Sequence, residues 1–473
     1  MTKLYLKKNF NNKNILEKSK VLLNETNKVF NSRDFKKYFK DLSNYLSIPE
    51  KEIIFYFKKQ YFNSFDFRKN IFRKKIFLSS IFKFIFIYVF FLISIFIFKK
   101  KNQTNPKIKS DILIDDVSDI NEIKRYDSLK KLFKSHIVRL NKDLSIKKSS
   151  KQIIFRKKFM NYYLSVNDLF FLLKMFNKNF KYSFKTKLNL FYFFLKFIDD
   201  YFYYSSFFKE YKFEYLISSR HYVTNNIKNF FAKKNNTHCS VLQKNIDTEN
   251  LNGFFIDTDT LFVLGKKTKI KNKIFNRINK QVEVGSFFME NLFFKKKRYR
   301  KNFKNLDILC LGGNEQYPGS EHDNYKDHSS NYTEHLNWLI KIAKEFPHLK
   351  IGFLHHANNR NDFEENFFKG SNVIYVSKET NSYILSAESK FLCSWASTMI
   401  VELFSLKKRG FYLDPNYKNV QFMNNINKNI RINTYNIFKK IFFNKILRKI
   451  DFNNYCVKSN NTSYKIFKYL KNK

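Results

Sequence analysis

The chain has 473 residues, with 59 Phe, 29 Tyr and 89 Lys or Arg against only 9 Gly, 5 Pro and 4 Cys, and a formal net charge of +49. That length supports two or three domains with sizeable cores. No zinc-finger spacing, RNA-binding signature or arginine-rich arm is present, so the charge is read as a solvated, Lys-rich surface with attraction for anionic membranes, and no nucleic-acid partner is expected.

All nine glycines lie between Gly253 and Gly410. Turns that need φ > 0, or close backbone approach to a ligand, are therefore expected in the second half, and the first half is expected to be largely helical. Cys239, Cys310, Cys393 and Cys456 are far apart and form no CxxC pair, which predicts reduced core residues rather than disulfides or metal ligands.

Residues 1–75 are Lys-rich with recurrent Phe, Tyr and Leu. They read as short amphipathic helices for a membrane surface or a partner, or as a basic extension without fixed order. No cleavable secretion signal is visible, because the first long apolar run starts far from Met1. That run, residues 76–98, is interrupted by Lys83 alone and bracketed by Arg73-Lys74-Lys75 and Lys99-Lys100-Lys101. It is long enough to span a bilayer, yet two basic flanks disfavour a single pass; a helical hairpin or a half-embedded helix resolves the conflict.

After a polar linker at 99–110, residues 111–116 predict a first strand, and residues 153–208 carry apolar residues at helical spacing. Strand and helix then alternate: strands at 215–218, 239–242, 260–264 and 281–284, with a helix at about 223–233. Short apolar strands ending at Gly265 and Gly285 or at polar turns are the mark of a parallel sheet. A basic bridge at 295–304 leads to a second series. It has strands at 306–311, 350–354 and 373–376, and a helix at about 332–346. Residues 390–414 close it as a strand-helix-strand unit. Here Ser397 can cap a helix over 398–406 whose Thr398, Glu402 and Ser405 share one face. Helix starts beyond a strand's carboxyl end are where open α/β sheets bind ligands, and a carboxylate one turn in suits a ribose. Residues beyond about 430 look helical and basic, suited to packing back across both domains.

The order of these pieces resembles a GT-B glycosyltransferase, α/β with two Rossmann-like domains, and within that fold is similar to bacterial surface-carbohydrate and CDP-glycerol glycerophosphotransferase-like proteins. The residues that carry it are Thr237 to Gln243, Thr260 to Gly265, Val282 to Ser286, Leu349 to His356, and Tyr383 to Leu385 before Phe391 to Glu402. Composition and hydropathy divide off a basic helical region at 1–75, a membrane segment at 76–98, a linker at 99–110 and a basic helical tail at 436–473; the resemblance covers roughly residues 111–435 and implies an acceptor domain at 111–300 and a nucleotide-donor domain at 301–435. It also implies that Gly312, Gly313 and Asn314 approach donor phosphates, that Ser397 and Thr398 bind the diphosphate, and that Glu402 binds ribose. His355 or His356 would lie near the leaving group. Gln243 and Lys244 would stand on the acceptor side.

Where that family has His-Gly after the Gln, this chain has Lys244-Asn245, so the usual histidine base is missing; His221, His238 and Asp247 are the substitutes considered. The implied function is a membrane-associated transferase at the cytoplasmic face of the inner membrane. It would move a sugar or sugar-like alcohol phosphate from a nucleotide-activated donor to a surface polysaccharide or lipid-linked acceptor, without metal or further cofactor. The altered Gln243-Lys244-Asn245 motivates the alternative, a membrane-anchored binding or scaffold protein on a decayed transferase fold. Asp257-Thr258-Asp259 has the spacing with which GT-A enzymes hold a metal, but is read as loop capping. Gly312-Gly313 lacks the third glycine of a dinucleotide fingerprint and the Lys-Ser/Thr of a P-loop, which argues against dehydrogenase and NTPase chemistry.

Overall fold

The computed structural model describes residues 15–64, 74–97, 108–118, 120–140, 153–155, 165–186, 188–221, 224–244, 246, 255–271, 275–290, 306–313, 325–356, 362–376, 382–395, 397–417, 428–445 and 448–473. Three helices open the chain: α1 (Ile15–Phe30), α2 (Arg33–Leu46) and α3 (Glu50–Ser64). The apolar run forms α4 (Lys74–Ile97). Then come β1 (Ile108–Val117), β2 (His136–Leu140), β3 (Ile153–Phe155), α5 (Val166–Thr186), α6 (Leu190–Glu210), β4 (Tyr211–Ser218), α7 (Asn226–Lys234), β5 (His238–Leu242), β6 (Asp257–Val263) and β7 (Arg277–Glu283).

The second half has β8 (Ile308–Leu311), α8 (Tyr325–Glu345), β9 (Ile351–Leu354), α9 (Phe363–Phe368), β10 (Val373–Val376), α10 (Ser382–Glu388), β11 (Phe391–Ser394), α11 (Met399–Leu403), β12 (Gly410–Leu413), β13 (Arg431–Ile432), α12 (Tyr435–Phe442) and α13 (Thr462–Lys471). Helical pieces of four residues or fewer carry no label.

Every strand pair in both sheets is parallel. The first sheet runs β3-β2-β1-β4-β5-β6-β7 and the second β10-β9-β8-β11-β12-β13. Each follows the doubly wound 3-2-1-4-5-6 order, the first with one strand added, and together they form a two-domain α/β architecture of the GT-B type. The central strands are apolar on both faces, as a sheet covered by helices on both sides requires: all four residues of β8, β9, β11 and β12 are buried.

Sequence periodicity did not indicate β2, β3 or β13. β2 (His136-Ile137-Val138-Arg139-Leu140) carries a charged residue at its fourth position, and β3 and β13 are only three and two residues long. Residues 153–155 thus form an edge strand within the stretch expected to be helical. The carboxylates of 257–259, expected in a loop, begin β6.

The N-terminal helices are part of the first domain. Phe30, Phe35, Phe39 and Phe57 share one aromatic core with Phe193 and Phe197 of α6. Tyr38 donates to Asn179 Oδ1 at 2.6 Å and Tyr56 to Asp200 Oδ2 at 2.7 Å, while Arg277 forms a bidentate pair with Glu52 at 2.8 and 2.7 Å. Buried Phe side chains each contribute on the order of 1.5–3 kcal/mol, so this core holds the helices down without help from lipid. α4 packs lengthwise on the same body: Phe84 is buried beside Phe176, Phe191 and Phe194, and Ser80 accepts from Asn189 at 3.0 Å. Among the described residues no helix is long and apolar enough to cross a membrane. The spanning form of the sequence expectation therefore gives way to a helix with one side in protein.

The tail, expected to pack across both domains, has Phe438 and Ile441 of α12 in the core of the second and α13 on the first. Ile466 and Leu470 of α13 sit in the core that includes Phe262 and Val284, with Tyr469 edge-on to Phe262 at 5.7 Å. On the way, residues 455–459 pass over Gly265 and Gly285: a Cβ on Gly265 would lie 2.7 Å from the Tyr455 carbonyl, and one on Gly285, which has φ +90°, would lie 2.6 Å from Val457 O. These glycines admit the chain's own backbone rather than a ligand.

Candidate functional site

In a doubly wound sheet the ligand crevice opens beyond the carboxyl ends of the two strands where the order reverses. Here those pairs are β1/β4 and β8/β11. Beyond β1 and β4 stand Ser118, Glu122, Arg220 and His221; beyond β8 and β11 stand Gly312, Gly313, Trp395, Ser397 and Thr398. The two edges meet, because Ser286, just past β7, donates to Glu402 Oε1 of α11 at 2.7 Å.

On the second domain, the Gly312 amide donates to Leu354 O at 2.9 Å, and a Cβ there would sit 2.8 Å from that oxygen and 3.1 Å from the His356 amide nitrogen. Gly313 lies against the rings of Trp395 and Tyr332, each 3.3 Å from a built Cβ. Trp395, unusual for such a turn, is a buried ring stacked on His335 at 5.4 Å and edge-on to Tyr332 at 6.0 Å. Ser397 and Thr398 are half-buried at the start of α11, where Ser397 Oγ accepts from the Met399 amide at 3.3 Å. The helix expected over 398–406 is α11 plus a 3-10 turn at Phe404–Leu406, ended by Lys407 at φ 56°.

The paired histidines differ. His355 is buried, 3.5 Å through Nδ1 from Glu364 Oε2, and Tyr332 donates to the other oxygen of Glu364 at 2.9 Å. His356 is half-buried beside Gly312, and burial, then the neighbouring His355, hold its pKa below the usual imidazole range. At neutral pH His356 is a neutral ring able to accept a proton.

Glu402 is 4 % exposed, and Tyr383 donates to its second oxygen at 3.0 Å. Burial raises its pKa, opposed by the Ser286 and Tyr383 hydrogen bonds and by Arg125 and Lys244. Lys244, half-buried past β5, has its pKa lowered by burial first and then by Arg220, with Glu122 and Glu402 pulling the other way and Arg125 adding to the lowering. Three cations thus stand within electrostatic reach of two carboxylates. The balance favours an anion, and a partly desolvated one would be held more strongly than in water.

Other candidates point elsewhere. Gln243 is buried, its amide donating to Thr268 O at 2.7 Å and its oxygen accepting from Leu264 N at 3.1 Å, so both groups hold loops. His221 is fully buried and accepts from the Lys244 amide at 3.2 Å; burial and then Lys59 push its pKa down to about 3, which makes it a poor base in this arrangement. His238 opens β5, at the edge away from the crevice, 3.0 Å from Thr260 Oγ1. Asp257 and Asp259 lie at that same far edge, paired with Arg277 at 2.9 Å and Lys233 at 2.8 Å. Among the described residues no group of three His, Cys, Asp or Glu could hold a metal. Asn314, Asn245 and Asp247 lie outside the described residues.

Sequence reasoning missed Arg125, Arg220, Ser286 as a partner of Glu402, and Glu364. Position beyond a strand end was the only signal for Arg220 and Ser286; Arg125 and Glu364 reach the site through packing alone. A separate cavity of about 610 Å³, lined in part by Lys267, Lys407, Lys449 and Tyr455, contains none of the candidate residues.

No family model matches the chain, and no curated protein matches it. Among solved structures it aligns with the wall teichoic acid polymerase TagF at 13% identity and TM-score 0.47, over 83% of this chain and 97% of that one. It also aligns with UDP-GlcNAc 2-epimerase from Methanocaldococcus jannaschii at 12% identity and TM-score 0.45, over 77% of this chain and 100% of that one. The Neisseria meningitidis UDP-GlcNAc 2-epimerase bound to UDP-GlcNAc aligns at 9% and 0.43, over 77% and 100%. Likenesses this distant carry no argument about chemistry, and the architecture stands on the strand order of the two sheets.

Proposed function

We propose that the chain is a GT-B-type transferase that moves a sugar, or a sugar-like alcohol phosphate, from a nucleotide-activated donor to a surface polysaccharide or lipid-linked acceptor at the cytoplasmic face of the inner membrane. The observation that supports this best is that two crevices of the same doubly wound order meet at one seam, with Glu402 and Gly312-Gly313 on one side and Arg125, Arg220 and Lys244 on the other.

In this reading the backbone at Gly312 and Gly313 approaches the donor phosphates, and Ser397 and Thr398 donate hydrogen bonds to them. Glu402 accepts from the ribose hydroxyls after releasing Ser286. The acceptor hydroxyl oxygen attacks the anomeric carbon, or the phosphorus of an alcohol phosphate. The bond from that centre to the nucleotide's phosphate oxygen breaks, and the nucleotide leaves with the electron pair. The hydroxyl proton passes to a base, for which His356 is the available neutral group with lowered pKa. Arg125 and Arg220 offset the charge that develops on the leaving phosphate.

The closed Ser286–Glu402–Tyr383 contact also favours a second reading, a binding or scaffold protein whose ribose carboxylate is tied up. One experiment separates them: incubate the protein with a panel of nucleotide sugars and CDP-glycerol, add membrane extract as acceptor, and measure nucleotide release. The transferase reading predicts release from one donor, lost in His356→Ala or His355→Ala. Binding of a donor with no release by the folded protein would favour the scaffold.

A further inference from the structure

We infer that the outer faces of α4 and α5 form one docking surface for an anionic lipid bilayer, on which the first domain lies flat. The inference extends the membrane part of the proposed function but is independent of the donor chemistry.

The described chain leaves sixteen large hydrophobic residues exposed, and eleven of them, six plus five, fall on these two helices. On α4 they are Leu78, Phe82, Ile85, Phe86, Val89 and Leu92, and their spacing of four, three, one, three and three puts them on one face. On α5 they are Val166, Phe170, Leu173, Phe180 and Phe184, again a single stripe. Phe82, Phe86, Phe170 and Phe184 are 69, 64, 66 and 59 % exposed. A soluble surface rarely leaves so many large apolar side chains exposed together.

The two helices are neighbours, joined through Phe84 and Phe176 at 5.3 Å, and their opposite faces are already buried against α6. Lipid can therefore reach one side only, which fits a helix lying in the interface and not one crossing it.

Charge identifies the occupant. Exposed Lys83 flanks the α4 stripe, and exposed Lys174 and Lys181 run along one side of the α5 stripe. In sequence the apolar run of α4, residues 76–98, is bracketed by Arg73-Lys74-Lys75 and Lys99-Lys100-Lys101, within a chain of net charge +49. Long cationic stems can lay their methylenes on the apolar face and reach up to lipid phosphates. A second copy of this chain would instead bring the same positive rim against itself.

Flotation of the purified full chain with vesicles of phosphatidylcholine, with and without phosphatidylglycerol, tests this. Strong binding only to the anionic vesicles is expected, weakened by salt. Phe82→Glu/Phe86→Glu and Phe170→Glu/Phe184→Glu should each lower the bound fraction at least about tenfold, since each pair removes apolar burial worth more than that factor. Circular dichroism should be unchanged, because all four positions are exposed. Phe86→Trp, read against the wild type, should be quenched by lipids brominated near the headgroup more than by lipids brominated near the chain ends.

No flotation, or variants that float like the wild type, would overturn the inference. So would deep quenching, which means a spanning helix, or a lipid-free dimer in sedimentation that the same variants dissociate, which makes the face a contact between copies. None of these outcomes touches nucleotide release.

Discussion

The Ser286 hydroxyl donates to Glu402 Oε1 at 2.7 Å, joining the end of the first sheet to the helix that follows the reversal point of the second. The carboxyl group is almost fully buried, and burial raises its pKa. A carboxyl with a raised folded pKa supports the fold fully below its unfolded value, and that support is lost as pH rises through the folded value. Glu402→Gln should therefore melt about 1–3 °C above the wild type at pH 8, with the gap closing toward pH 4.5. Thermal melts across that range check it, and a gap that widens as pH falls would contradict the sign.

The two adjacent glycines separate a steric role from a ligand role. Gly312→Ala forces a Cβ to within 2.8 Å of Leu354 O, a backbone atom, and should cost about 1–3 kcal/mol in denaturant unfolding. Gly313→Ala meets only ring atoms at 3.3 Å and should fold with less than about 1 kcal/mol of loss. It should still weaken donor nucleotide binding, measured by calorimetry, because the methyl pushes against the Trp395 and Tyr332 rings that seat the backbone proposed to approach a phosphate.

His355 and His356 predict a pH profile. Since burial and His355 lower the pKa of His356, its neutral form survives below the ordinary imidazole range, and nucleotide release should hold its rate to below pH 6.5 before falling. His356→Ala should reduce the rate by roughly 100-fold or more. Glu364→Gln should leave His356 in place but loosen His355, lowering the rate of nucleotide release more than the affinity for the donor.

A buried ionic network stands at the end of β1. Arg139 reaches Asp115 at 2.5 and 2.9 Å, and Lys228 reaches Asp115 and Asp116 at 2.6 and 2.7 Å. Burial alone would raise the Asp115 pKa, but Arg139 and Lys228 outweigh it and hold the carboxyl well below its usual range. That support is present above the unfolded value of about 3.9 and is lost as pH falls through the depressed one. Arg139→Met leaves Asp115 with one cation and should cost about 3–5 kcal/mol in urea unfolding, whereas a surface substitution such as Lys174→Met should cost little.

The parallel sheets were legible because most of their strands are apolar runs bounded by glycine or polar turns. The strand at 373–376 was placed to the residue, and the strand-helix-strand unit expected over 390–414 is β11, α11 and β12. β2 escaped because Arg139 interrupts its pattern, and the partner that makes that charge tolerable, Asp115, lies 24 residues away. The glycines divide: those at 312 and 313 stand beyond the end of β8, Gly285 has the positive φ expected of second-half turns, and both Gly265 and Gly285 also make room for the returning tail, a contact between segments some 170 to 190 residues apart that periodicity does not show. The apolar run at 76–98 announced contact with something greasy. Only the packing of Phe84 and Ser80 shows that one side of it meets protein.

The central claim, a nucleotide-donor site at the meeting of the two crevices, is tested most directly by a thermal-shift screen of the purified chain against UDP, GDP, CDP, CMP and their conjugates, run beside Glu402→Ala. The account predicts a rise in melting temperature for one nucleotide that Glu402→Ala loses. A folded wild type that no nucleotide shifts, or a shift that Glu402→Ala retains in full, would contradict it.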